Sequence, residues 1–377
     1  MSVIDQVKER LDLVDVVSGY VALKKAGQNF KGLCPFHAEK TPSFVVFPET
    51  QTWHCFGACS TGGDVFTFIE RIEGLDFAGA LRMLAERAGV ELAPRSQADI
   101  ERTEALDRLR EVNAAAARYF HHLLVNNPAG QVAREYLQNR GLPPDAWETF
   151  ELGYALNEWD ALIAYLTTQR HYTLDDLVAA GLVSERRDGT GYYDRFRGRL
   201  MFPIRDVAGD VIGFGARALT PDDMPKYLNS PQTPLFDKSH VLYGIDRARQ
   251  AIRQEQQAVI VEGYTDVISA HIHGFENVVA SLGTALTEAQ LRLLKRYTRR
   301  FILALDADTA GSQATLRGLE VAKEALDTEA VPVPTARGYI RYENRLDAEI
   351  RVLVLPAGMD PDELIRQDAD AWLRLVR

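Results

Sequence analysis

The chain has 377 residues, 46% of them hydrophobic and 25% charged, with a formal net charge of −10. That length supports two or three domains with a sizeable core, and the composition excludes a chain disordered throughout. The charge excludes a uniformly basic nucleic-acid coat, yet it averages over patches and leaves room for an acidic centre beside a basic groove.

The amino terminus is acidic by its fifth residue and has no long apolar run, so neither a signal peptide nor a membrane span is expected, and the protein is expected in the cytoplasm. Apolar residues at helical spacing run from Ile4 to Val17 with a break near Asp15, and Tyr20-Val-Ala-Leu23 reads as a strand. The three cysteines all lie between positions 34 and 59, a clustering that points to a metal and not to a disulfide framework. Cys34-Pro-Phe-His37 is followed after 17 residues by Cys55-Phe-Gly-Ala-Cys59, with strand residues Ser43 to Phe47 between. Two such ligand pairs on two turns of a small β-ribbon close a tetrahedral Cys3His zinc site, structural because all four positions belong to protein. Its ligands are Cys34, His37, Cys55 and Cys59, with His54 as the rival for the fourth place. Trp53, Phe44, Phe47 and Phe56, beside Lys31 and Lys40, offer a face for stacking single-stranded bases; the ribbon's own core is the better reading for most of these rings.

Gly63 to Ala88 reads as two helices, and Pro94-Arg-Ser-Gln-Ala98 as a polar break between domains. Helical patterns follow at Glu104 to Val125 and at Ala133 to Arg140, the latter stopped by Gly141 and Pro143-Pro144. Between Glu185 and Arg205 six arginines oppose three acids, a basic patch of local charge +3. Within it Arg195 to Ile204 is a basic turn feeding a strand, and Val211 to Arg217 is a second strand whose small residues permit close backbone approach.

From Ala258 onward, short β-branched strands alternate with helical segments, as in a parallel α/β sheet, where ligands gather at the carboxyl ends of strands. Acids stand at those ends. Glu262 follows Ala258 to Val261, Asp306 and Asp308 follow Arg300 to Leu305, and Asp360 and Asp362 follow the strand Glu349 to Leu355. Carboxylates so gathered repel one another unless a hard cation joins them, and two Mg²⁺ or Mn²⁺ ions there suit a phosphoryl transfer.

Glu262-Gly-Tyr-Thr-Asp266, Ala280-Ser-Leu-Gly-Thr284, Leu305-Asp-Ala-Asp-Thr-Ala-Gly311 and Gly358-Met-Asp-Pro-Asp-Glu363 resemble the TOPRIM motifs of bacterial DNA primases of the DnaG type. Gly32-Leu-Cys-Pro-Phe-His37, Glu39-Lys-Thr-Pro-Ser-Phe44 and His54-Cys-Phe-Gly57 resemble the zinc-binding domain that opens those enzymes, although the second knuckle has three residues between its cysteines where the family usually has two. The resemblance implies an α+β multidomain chain: a zinc-ribbon β module at 1–95, a hinge at 96–110, a mixed α/β basic subdomain at 111–243, and an α/β TOPRIM subdomain with a mostly parallel sheet at 244–356, followed by the start of a helical subdomain at 357–377. A segment at 327–347 is atypical of the family and reads as a surface loop or hairpin.

The resemblance also implies the activity and the roles. Short RNA primers would be made without a pre-existing primer on a single-stranded DNA template, from ribonucleoside triphosphates, leaving an RNA–DNA hybrid. Glu262, Asp306 and Asp308 would be catalytic, holding the metals with Asp360 and Asp362, and Asp266 would be a secondary candidate. Arg140, Arg199, Arg217, Lys226, Asn229 and Lys238 would bind DNA or nucleotide. The family continues past the position of Arg377 with a helicase-binding domain, so this chain is expected not to recruit the replicative helicase. The rivals are a TOPRIM nuclease or topoisomerase and a zinc-dependent single-strand-binding module without polymerase activity.

Overall fold

The computed structural model describes residues 2–75, 77–92, 97–186, 188–283, 286–304, 348–356 and 359–377, and the backbone of 328–334 and 340–346. Two compact units, 1–100 and 101–377, divide the chain.

In the first unit α1 (Val3–Arg10) starts on a capping box in which Ser2 and Asp5 satisfy each other's backbone groups, and α2 (Leu13–Ser18) follows at once. The break between them falls at Asp12, not near Asp15, because the Asp12 side chain caps α2 by accepting from Val14 N at 2.7 Å. The expected strand at Tyr20 to Leu23 is absent. Tyr20 N and Val21 N still donate to Val17 O, closing the end of α2, and Val21 is buried. Strands β1 (Lys24–Ala26), β2 (Asn29–Gly32), β3 (Phe44–Phe47), β4 (Thr52–Cys55) and β5 (Gly62–Gly63) form one antiparallel sheet in that order. Alternation along β3 and β4 sends Phe44, Val46, Trp53 and Cys55 into a core shared with Phe66, Phe68 and Ile69 of α3 (Val65–Glu73) and with Leu84 of α4 (Phe77–Ala88). Phe44 and Trp53 are therefore core rings, stacked with centroids 5.1 Å apart, while Phe56 is 67% exposed.

Residues read as a hinge from 97 onward lie in α5 (Gln97–Asn126). Beyond it come α6 (Gln131–Asn139), α7 (Pro144–Thr149), β6 (Gly153–Ala155), α8 (Ala161–Ala164), α9 (Leu174–Ala179) and the hairpin β7 (Val183–Glu185) and β8 (Tyr192–Asp194). Strands β9 (Arg199–Arg205), β10 (Val211–Ala218) and β11 (Tyr227–Asn229) join β6 in an antiparallel sheet ordered β11-β10-β9-β6. Then α10 (Ile245–Glu255), β12 (Ala258–Val261), α11 (Tyr264–Ile272), β13 (Val278–Ala280), α12 (Glu288–Lys295) and β14 (Arg300–Leu303) alternate as the sequence predicts. The 327–347 segment contains an antiparallel hairpin, β15 (Thr328–Pro334) and β16 (Ile340–Leu346), and β17 (Glu349–Val352) returns to the sheet before α13 (Pro361–Gln367) and α14 (Ala369–Val376). The second sheet of this unit is parallel, ordered β13-β12-β14-β17.

One core spans both sheets of the second unit. It contains Leu200, Phe202 and Ile204 of β9 with Val259 and Val261 of β12 and Tyr264 of α11. Phe202 and Tyr264 stack at 4.7 Å and 10°, a pairing worth about 0.5–1.5 kcal/mol beyond the area it buries. The close approach expected of the small residues in β10 occurs at Gly215, where a Cβ would stand 2.3 Å from the Tyr264 ring. The parallel sheet's carboxyl ends are thus fixed against the antiparallel sheet.

Candidate functional site

Cys34, His37, Cys55 and Cys59 converge in the first unit, with one ligand atom from each within 4.8 Å of all the others. Cys34 Sγ and Cys59 Sγ are 3.6 Å apart, far beyond a disulfide and close to the roughly 3.8 Å separating two sulfurs on a zinc tetrahedron. Burial pushes the Cys34 thiol up to about 12, so a thiolate there needs a cation to displace its proton. The donor set fits a structural zinc. His54 stands apart with its ring 4.6 Å from that of Phe56. Glu39 supports the cluster: it accepts from Cys34 N at 2.7 Å, Ser43 N at 3.0 Å and Ser43 Oγ at 2.5 Å, and its carboxylate lies 3.1 Å from His37 Nε2. A carboxylate on the distal nitrogen orients the histidine and leaves Nδ1, 3.9 Å from Cys55 Sγ, toward the sulfurs. Sequence reading places Glu39 in a motif of the zinc-binding domain but gives it no role, although its place between the two knuckles was the available signal.

In the second unit the carboxyl end of β12 leads into the first of the described acids. Glu262 directly follows β12 and is half-buried. Asp306 and Asp308, which follow β14, lie outside the described residues. Asp266 accepts from Gly263 N at 2.9 Å, which fixes the turn from Glu262 into α11, and from Asp362 N at 3.3 Å, which ties α11 to α13. Asp360 caps α13 by accepting from Glu363 N at 2.7 Å through Oδ1, and its side chain remains 36% exposed. Asp362, two residues on, is buried and paired with Arg140 and Arg366.

The basic residues divide into three groups. Arg140 and Arg217 both lie over the Tyr136 ring, at 6.0 and 4.7 Å from its centroid, and Arg217 also lies 5.1 Å from that of Tyr227 and bonds its hydroxyl. Lys226 is exposed beside them. Asn229 and Lys238 line a cavity of about 530 Å³ with Arg195, Leu282 and Gly283. There Asn229 accepts from Tyr264 Oη at 2.7 Å and donates to Leu282 O at 3.2 Å, joining the two sheets across the cavity. Arg199 is placed differently from the others. It is buried, donating to Pro225 O at 2.7 Å and to Asp223 at 2.8 Å, so it braces the turn before Lys226.

Three family models cover the chain in order: a CHC2 zinc finger over residues 1–99, the N-terminal domain of the DNA primase catalytic core over 119–249, and a Toprim-like domain over 259–339. A curated DNA primase of Halalkalibacterium halodurans is 41% identical over 364 residues, covering 97% of this chain and 57% of the relative. The crystal structure of the zinc-binding and RNA polymerase domains of Aquifex aeolicus primase matches with a TM-score of 0.61 and 33% identity, over 99% of this chain and 84% of that one. The chain belongs to the DnaG-type primase family. It spans little more than half the length of the curated primase it matches. A DnaG primase catalytic domain bound to single-stranded DNA also aligns, with a TM-score of 0.59 and 33% identity over 72% of this chain and 78% of that one.

Within this primase fold a cluster that sequence reading overlooked gathers beside the hairpin β7–β8. Trp159 is 56% exposed and packs edge-on to Tyr193, with Arg197 4.3 Å and Arg186 5.2 Å from its ring centroid. An exposed tryptophan flanked by guanidiniums is a surface on which unpaired bases stack. The six-arginine run was visible in the sequence. Its tryptophan partner is 27 residues before Arg186, and only the fold joins them.

Proposed function

We propose that this chain is a DNA-directed RNA polymerase that starts short RNA primers on single-stranded DNA without a primer, working in the cytoplasm at the replication fork. One observation supports the reading: the core that includes Val261, next to Glu262, also includes Phe236 and Leu282, which line the cavity together with Arg195, Asn229 and Lys238. Glu262, Asp306, Asp308 and Asp360 are the residues that would hold divalent cations, and their hard oxygen donors suit Mg²⁺ or Mn²⁺. Bound there, such ions supply Lewis acidity to the α-phosphate and to the attacking 3′-hydroxyl.

The protein's own part is binding and orientation. Arg195 and Lys238 supply fixed positive charge for a ribonucleoside triphosphate, and Asn229, held by Tyr264 and Leu282, sets the floor on which it rests. Arg140, Arg217 and Lys226 offer cations to the phosphates of template and RNA–DNA hybrid, with Trp159 and Tyr193 as a stacking surface for template bases. Cys34, His37, Cys55 and Cys59 would hold the zinc that keeps the first unit folded.

The test follows labelled ribonucleotides on unprimed single-stranded DNA with Mg²⁺ or Mn²⁺. Wild type is expected to make short RNA, and Glu262→Gln and Asp308→Asn to make none while still binding template. Wild-type protein that binds or nicks DNA but makes no RNA would put the nuclease or binding reading in its place.

A further inference from the structure

Asp362 belongs by sequence with the metal-binding acids, yet its surroundings are those of an anion already satisfied. The residue is 1% exposed. Its Oδ1 accepts from Arg366 Nε at 3.0 Å, and its Oδ2 accepts from Arg366 Nη2 at 3.3 Å and from Arg140 Nη1 at 3.1 Å. A planar fork gripping both oxygens is the bidentate geometry that arginine supplies and lysine does not. The two residues lie four apart on α13, the spacing that stacks side chains on one helix face. With its oxygens committed to two guanidiniums, Asp362 has little left for a hard divalent ion.

Arg140 depends on this arrangement. It ends α6 and shares the Tyr136 ring with Arg217, and two guanidiniums on one ring repel each other. Asp362 supplies the anion that keeps Arg140 in place, 3.9 Å from the outward-facing carboxylate of Asp360. Arg366 also packs against the turn that carries Arg140. Gly141 there has φ +71°, and a Cβ on it would stand 3.1 Å from Arg366 Cδ.

We propose that Arg366 is a positioning residue for template and nucleotide binding: through Asp362 it aims Arg140 beside the acidic centre, and Asp362 serves this latch instead of ligating a metal. What Arg140 contacts rests on the primase reading; the latch itself does not.

The experiment is a mutant cycle at fixed salt, because phosphate contacts are salt-dependent. Binding of a fluorescein-labelled single-stranded oligodeoxynucleotide is measured for the whole chain as wild type, Arg366→Met, Arg140→Ala and the double variant. Arg366→Met is expected to weaken binding roughly fivefold in the wild-type background and less than about twofold once Arg140 is gone. Equal losses in both backgrounds, or no loss in the first, would overturn the latch, since a purely structural role would not depend on Arg140. If Arg366→Met does not fold by circular dichroism, Arg366→Lys takes its place. It keeps the charge without the fork, and the expected result is a smaller loss with the same non-additivity.

A second arm measures Mn²⁺ affinity by the ion's paramagnetic resonance. Asp362→Asn is expected to stay within about twofold of wild type while Glu262→Gln weakens it at least tenfold. A loss at Asp362 as large as at Glu262 would return Asp362 to the ligands. RNA synthesis by wild type, run in parallel, judges the primase reading separately: its absence would remove that reading and leave the binding cycle to decide the latch.

Discussion

The cluster of Cys34, His37, Cys55 and Cys59 was legible at the level of single residues because its spacing is local. Two knuckles bring four donors together with little help from the rest of the fold, and the extra residue in the second knuckle is absorbed without turning Cys59 away. The expected outcome is that Cys59→Ser loses zinc and His54→Ala retains one equivalent, read by metal analysis of the purified proteins. Zinc retained by the first and lost by the second would exchange their roles. Roles set by burial were not legible. Arg199 looks in sequence like its neighbours Arg195 and Arg197, yet it is enclosed and spent on Asp223 and Pro225, while Arg197 lies over an exposed tryptophan. Nothing in the order of residues distinguishes a guanidinium that braces a turn from one that faces a ligand. The same holds for Asp360 and Asp362: one leaves an oxygen toward solvent and the other is locked by Arg366, though the motif presents them as a pair.

Elements were read well where hydrophobic runs are continuous and less well where a helix end competes with a strand pattern. The four β-branched or apolar residues before Glu262 form β12, buried along its whole length, as parallel strands covered on both faces must be. Tyr20 to Leu23 is an apolar run of the same length, but its first two amides donate to Val17 O and its tyrosine hydroxyl to Glu73 at 2.6 Å, so it forms no strand. Contact between elements brings out the sensitivity of β10. Gly215 lies directly under Tyr264, which stacks on Phe202 and bonds Asn229 in the cavity. Gly215→Ala is expected to cost about 1–3 kcal/mol by overpacking, seen as a lower midpoint of the second unit's thermal transition. The same change should weaken nucleotide binding, because displacing Tyr264 also releases Asn229. An alanine variant with unchanged midpoint and nucleotide affinity would show that the ring moves aside at no cost.

For the whole molecule, the decisive feature is that the two units have separate cores. Phe44, Val46, Trp53 and Phe68 belong to one, and Phe202, Val261 and Tyr264 to the other, with no residue in common among those described. A unit of 100 residues has a net stability of about 5–15 kcal/mol, while a structural zinc in a small domain contributes about 10 kcal/mol or more. The metal's share of the first unit's stability is therefore comparable to the whole, and all four of its candidate ligands lie in that unit. Removing zinc with a chelator is expected to unfold residues 1–100 alone. Trp53, buried and stacked on Phe44, should shift its emission to the red, while calorimetry keeps the transition of residues 101–377, whose tryptophans are Trp147, Trp159 and Trp372. Loss of both transitions together would mean that the second unit draws stability from the first, and the separation of cores would not describe how the chain folds. Because the proposed acidic centre and nucleotide cavity lie wholly in the second unit, the chelated protein should also keep its nucleotide affinity; a parallel loss would place part of that site on the zinc-bearing unit.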